Sequence, residues 1–117
     1  MIRGLDHVQI AAPAGCEEEA RRFYGGVLGL AEVRKPTALA GRGGVWFACG
    51  AQQLHIGVAA DFAPAAKAHP ALRVASIEEL RALAELLEPV AWDDSLPGVA
   101  RFYARDPWGN RLELLAA

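Results

Sequence analysis

Glu113 is the side chain whose position most needs explaining. It stands in the middle of a short apolar strand, Arg111-Leu112-Glu113-Leu114-Leu115, with Leu112 and Leu114 on one face and Arg111, Glu113 and Leu115 on the other. A carboxylate buried there without a partner costs several kcal/mol. The chain has three histidines, His7, His55 and His69. Three neutral imidazoles and one carboxylate form a nitrogen and oxygen donor set. Such a set suits a divalent first-row ion (Zn, Ni, Co, Mn or Fe(II)) better than Ca or Cu(I). The competing partners for Glu113 are an arginine, Arg101 or Arg111, or water.

The elements that must position these groups come in a repeating order. Residues 5–11 alternate as a strand, Val8 and Ile10 against Leu5, His7 and Gln9. Residues 16–28 read as a helix. Glu17, Glu18 and Glu19 sit in its first turn, where the helix dipole favours negative charge, Ala20, Phe23, Tyr24 and Val27 form its apolar stripe, and Gly29 ends it. Short strands follow at 30–34 and 45–49, around a glycine-bearing loop at 36–44. Residues 52–58 alternate again, Leu54, Ile56 and Val58 against Gln53, His55 and Gly57. A small-residue connector, 59–67, separates the halves.

The second half opens with a strand at 68–74. Pro70 cannot donate to a sheet ladder, so His69 is expected at the strand's entry. Ser76 with Glu79 is a capping box for a helix carrying Ile77, Leu80, Leu83, Ala84 and Leu87, and Pro89 stops it. A short strand at 90–92, a loop at 93–98 and a hairpin turning at Asp106-Pro107-Trp108-Gly109-Asn110 complete the chain. The order is strand, helix and three strands, twice over. His7 and His69 belong to the opening strand of each half, and His55 and Glu113 to the closing strand. All four repeat positions therefore carry a metal-ligating residue type.

The 117 residues are 53% hydrophobic, enough for a core in one small domain of two halves. With 12 basic and 14 acidic residues, no basic patch points to nucleic acid. No apolar run has the length of a signal peptide or a membrane span, so a cytoplasmic protein is expected. In that compartment Cys16 and Cys49 are two free thiols.

The chain resembles the vicinal oxygen chelate superfamily, which includes glyoxalase I, bleomycin resistance proteins, fosfomycin resistance proteins and extradiol dioxygenases. The resemblance is carried by Leu5-Asp6-His7-Val8, Phe23-Tyr24 with Leu28-Gly29-Leu30, Asp106-Pro107-Trp108-Gly109-Asn110 and Leu112-Glu113-Leu114. It implies an α+β fold of two tandem βαβββ modules whose curved mixed sheets form a half-open barrel, and a homodimer. It maps metal ligands onto His7, His55, His69 and Glu113, as in glyoxalase I-like members; the dioxygenases use the equivalents of His7, His69 and Glu113. The chemistry implied is Lewis-acid chelation of two adjacent oxygens of a small molecule. Glu113, or a metal-bound hydroxide, would serve as the base.

Within that resemblance a glyoxalase-like member fits best. The serine-rich loop and later arginine of fosfomycin resistance proteins are missing, and no histidine is left over for a dioxygenase. Gln9, Trp46, Arg73, Arg101 and Tyr103 are the expected substrate-side residues, suited to a small anionic molecule. The alternative function is a non-catalytic drug- or metabolite-binding protein of the bleomycin-resistance type, since fold alone does not choose between them.

Overall fold

The computed structural model describes all 117 residues. They divide into two compact units, residues 1–63 and 64–117. The first contains strand β1 (His7–Ala12), helix α1 (Glu17–Ala20), and strands β2 (Glu32–Val33), β3 (Val45–Cys49) and β4 (Gln52–Val58). The second contains β5 (Ala71–Arg73), helix α2 (Ile77–Leu87), β6 (Ala91–Trp92), β7 (Ala100–Arg105) and β8 (Arg111–Ala116). Each unit is thus a βαβββ module. Its opening and closing strands are parallel neighbours, and its other pairs are antiparallel.

The sheet orders are β1-β4-β3-β2 and β5-β8-β7-β6. The tandem modules match the expected fold, but the half-open barrel does not. Neither sheet closes or curls strongly. Closure would need the first and last strands of a sheet to share a ladder. Here β1 and β2 are the edges of one sheet and β5 and β6 those of the other, and β2 and β6 are two residues long.

Local chemistry accounts for the elements. Ser76 caps α2, its hydroxyl accepting the backbone N–H of Glu79 at 3.1 Å. In the first unit the helical segment begins as α1 but continues over Arg21–Val27 with wider winding, and the N–H of Leu28 reaches back five residues to Phe23 at 2.9 Å. Gly25 and Gly26 lie in that stretch, and glycine is the residue whose backbone is least restricted in conformation.

Alternation along the strands separates core from site. In the first unit Ile10, Val45, Phe47, Leu54 and Ile56 are buried with Tyr24 and Ala20 of the helical segment. In the second, Phe102, Ala104, Leu112 and Leu114 are buried with Leu80 and Ala84 of α2. Fully burying a leucine such as Leu112 stabilises by about 1.5–3 kcal/mol. The intervening residues point to the opposite face of each sheet: His7, Gln9, Trp46 and His55 in one unit, Arg101, Tyr103, Arg111 and Glu113 in the other.

Candidate functional site

In the first unit the register of β3 on β4 sets Trp46 opposite His55. Their rings stack at 3.8 Å between centroids with 3° between planes. His7, at the start of edge strand β1, stacks on His55 at 4.3 Å and 17°. The three rings form a pile with His55 in the middle, so His55 is buried although it lies on the face away from the helix.

Each imidazole is oriented by a neighbouring oxygen. His7 Nδ1 lies 2.9 Å from the carboxylate of Asp6, which only accepts. His7 Nδ1 therefore carries the hydrogen, and Nε2 of the neutral ring keeps its lone pair. His55 Nε2 donates to Gln53 Oε1 at 2.8 Å, which leaves Nδ1 as its basic nitrogen. Burial, and then the proximity of His7, push the His55 pKa below the usual histidine value. Gln9 lies over Gly57, where a Cβ would approach its amide nitrogen to 2.5 Å.

In the second unit His69 stands just ahead of β5, because the strand expected at 68–74 is shorter and begins after Pro70, at Ala71. Its Nδ1–H donates to the carbonyl of Lys67 at 2.8 Å, and its Nε2 faces Glu113 Oε1 at 2.9 Å. A neutral His69 thus presents a lone pair to a carboxylate. Two acceptors at that separation need a proton or a cation between them. The other Glu113 oxygen, Oε2, accepts from Arg101 Nη1 at 3.2 Å. Burial alone would raise the Glu113 pKa, but the bonds to His69 and Arg101 outweigh it and hold the carboxyl below its ordinary value.

Arg101 is the hub of this network. Besides Glu113, it donates to the Tyr103 hydroxyl at 3.0 Å, Asp93 Oδ2 at 3.1 Å and Ser95 Oγ at 3.0 Å. Tyr103 in turn meets the His69 ring edge-on at 5.2 Å and carries the Arg111 guanidinium 4.1 Å above its ring. Arg73 is exposed on β5 and takes no part.

The predicted residues therefore gather as two groups, His7, His55 and Trp46 in one unit and His69, Glu113, Arg101 and Tyr103 in the other. No three His, Cys, Asp or Glu side chains cluster as a metal-holding group. Sequence reasoning placed Gln53 on the His55 face of its strand, where it bonds that ring, but gave no role to Asp6, Asp93 or Ser95. Asp6 adjoins His7 and was within reach. Nothing in the sequence linked the Asp93–Ser95 loop to Arg101.

The donor chemistry still suits a divalent cation. A metal-bound histidine characteristically gives its second ring N–H to a carboxylate or a backbone carbonyl. His7 does the former and His69 the latter, which leaves Nε2 of each ring as the nitrogen that would face an ion.

Among solved structures, a protein from Bacillus anthracis described as of the glyoxalase family is 51% identical, with a TM-score of 0.93 over 99% of this chain and 96% of its own. A glyoxalase family protein from Enterococcus faecalis is 26% identical, with a TM-score of 0.69 over 97% of each chain. The lactoylglutathione lyase of Agrobacterium tumefaciens shares the fold, with 24% identity and a TM-score of 0.73 over 97% of this chain and 93% of its own. No family model and no curated protein sequence matches the chain.

Proposed function

The chain belongs to the glyoxalase family of the vicinal oxygen chelate superfamily, and from that premise we propose that it is a metal-dependent enzyme acting on a small molecule with two adjacent oxygens. The observation that carries this reading is the His69–Glu113 pair. One ring nitrogen is committed to a carbonyl, and the other meets an ionised oxygen at 2.9 Å.

In this reading His69 and Glu113 would hold the ion, and His7 and His55 are the proposed ligands of the first unit. When bound, it supplies Lewis-acid stabilisation to negative charge developing on substrate oxygens. Arg101 keeps Oε2 of Glu113 in place, so that Oε1 is presented on the His69 side. Glu113 is also the proposed proton acceptor. The bonds that lower its pKa make it a weak base at neutral pH, which favours its holding role over proton transfer. Gln9, Trp46, Arg73, Arg101 and Tyr103 are the proposed substrate-side residues, Tyr103 through a hydroxyl whose oxygen already accepts from Arg101. The proposed assembly is a homodimer. No helix is long and apolar enough to cross a membrane.

A second reading has an observation of its own. Arg101 already neutralises Glu113, and no three donor side chains cluster, as befits a binding protein that uses no metal. Metal analysis of untagged protein, with turnover assays on hemithioacetals and catechols before and after EDTA, separates the two. Stoichiometric metal with EDTA-sensitive turnover supports the enzyme. Ligand binding that survives EDTA, with no turnover, supports the binding protein.

A further inference from the structure

The hairpin turn that joins β7 to β8 sets Arg105 and Arg111 directly opposite each other, as paired residues of the antiparallel ladder. Like charges so placed destabilise a sheet. An acidic partner would relieve the repulsion, but neither arginine has one. Arg105 donates to the backbone carbonyl of Gly109 at 3.0 Å, and Arg111 to that of Lys67 at a long 3.4 Å. Each guanidinium carries five N–H donors, so most of both forks remain unused.

These two residues and Tyr103 line one cavity of about 430 Å³, with Ala66, Pro89 and Ala91 as apolar wall and no acidic side chain in the lining. Arg111 lies against the Tyr103 ring, its central carbon 4.1 Å from the ring centroid. Stacking of this kind holds a guanidinium by its face and leaves the N–H edge available, the geometry that recognises a planar or tetrahedral oxyanion.

We propose that this cavity is an anion-binding site that takes the carboxylate or phosphate group of a small ligand between Arg105 and Arg111. A bound oxyanion accepts from both forks and removes the cross-strand repulsion. The site is defined within the second unit by β7, β8, the β6 approach and Ala66, and needs no metal, so it stands or falls separately from the metal reading.

The test uses metal-free protein and two probes at constant ionic strength, inorganic phosphate and acetate, followed through the arginine side-chain Nε–Hε resonances. Saturable shifts at Arg105 and Arg111 are expected, and the stronger of the two probes identifies the oxyanion. Arg111→Gln and Arg105→Gln should each weaken binding about tenfold or more, the loss of a charge-assisted contact. Exposed Arg81→Gln on α2 should leave it unchanged. Arg111→Lys, which keeps the charge but loses the fork, should fall between wild type and Arg111→Gln; it also covers the case in which the glutamine variant does not fold. Shifts that never saturate with either probe, or affinity that is the same in all four variants, overturn the proposal.

Discussion

His69 and Glu113 are joined through one contact that neither can satisfy alone. The 2.9 Å approach of Nε2 to Oε1 occurs while Nδ1–H is bound to Lys67, so the gap between them must hold a proton or a metal ion. A divalent ion bound there would displace that proton. Calorimetric titration of apo protein with Zn or Ni in buffers of different ionisation enthalpy should therefore show proton release on binding. His69→Asn and Glu113→Gln should each reduce affinity by tenfold or more. Unchanged affinity in both would remove these residues from the ligand set.

Arg101 is expected to act on metal affinity without being a donor. Its guanidinium ties Glu113 to Asp93, Ser95 and Tyr103. Arg101→Ala should lower metal affinity about tenfold, the scale of groups that orient ligands. Asp93→Asn should give a smaller loss in the same direction. If Arg101 instead served only to bind substrate, KM would rise and metal affinity would stay the same.

The ring pile on β3 and β4 makes a pH prediction. The His55 pKa is lowered by burial and then by His7, from an ordinary value of 6.5. A group depressed on folding contributes stability that is complete above its unfolded pKa and is lost as pH falls through the folded one. Urea unfolding of metal-free protein should thus show stability declining as pH drops below about 6.5. The decline should be shallower in His55→Asn. The same slope in wild type and variant would show that His55 is not its source.

Trp46 offers a spectroscopic check on that pile, because its ring lies 3.8 Å from His55. Adding Co or Ni should change tryptophan emission in the wild type and not in Trp46→Phe, although Trp92 and Trp108 remain. A metal response that persists in Trp46→Phe would place the ion away from His55.

One backbone position makes a stability prediction. Gly44 has φ of 84°, and a Cβ there would lie 2.1 Å from the Ile56 carbonyl oxygen. Gly50 has φ of 58° but nothing within 4 Å. Gly44→Ala should cost about 3 kcal/mol or more, from a strained backbone plus a collision that only strand movement relieves. Gly50→Ala should cost about 1–2 kcal/mol, from the left-handed conformation alone. Equal losses in chemical denaturation would show that the β4 backbone gives way at Gly44.

Much of the frame was legible in the residues. Alternation in Leu112-Glu113-Leu114 placed Glu113 opposite the core face, and Ser76 with Glu79 marked the start of α2 where it occurs. Pro70 put His69 at the entry of a strand expected at 68–74, but the strand begins only at Ala71 and leaves His69 outside it. The turn at Asp106–Asn110 was readable for the same reason: proline and glycine restrict the backbone locally. The helix at 16–28 was found, but not its wide winding past Ala20. The half-open barrel came from resemblance, and the open sheets with their two-residue edges do not make one.

The sequence by itself determined the order of elements and the side of each strand on which His7, His55, Arg101 and Glu113 lie, because a period of two is a local property of the chain. The tertiary structure decided which of those groups meet. It put Arg101 on Glu113 and on the distant Asp93 and Ser95, piled Trp46, His55 and His7, and set Arg105 against Arg111. Such meetings depend on strand register and on the path of loops, and these are set by packing over the whole of each unit rather than by any short run of residues.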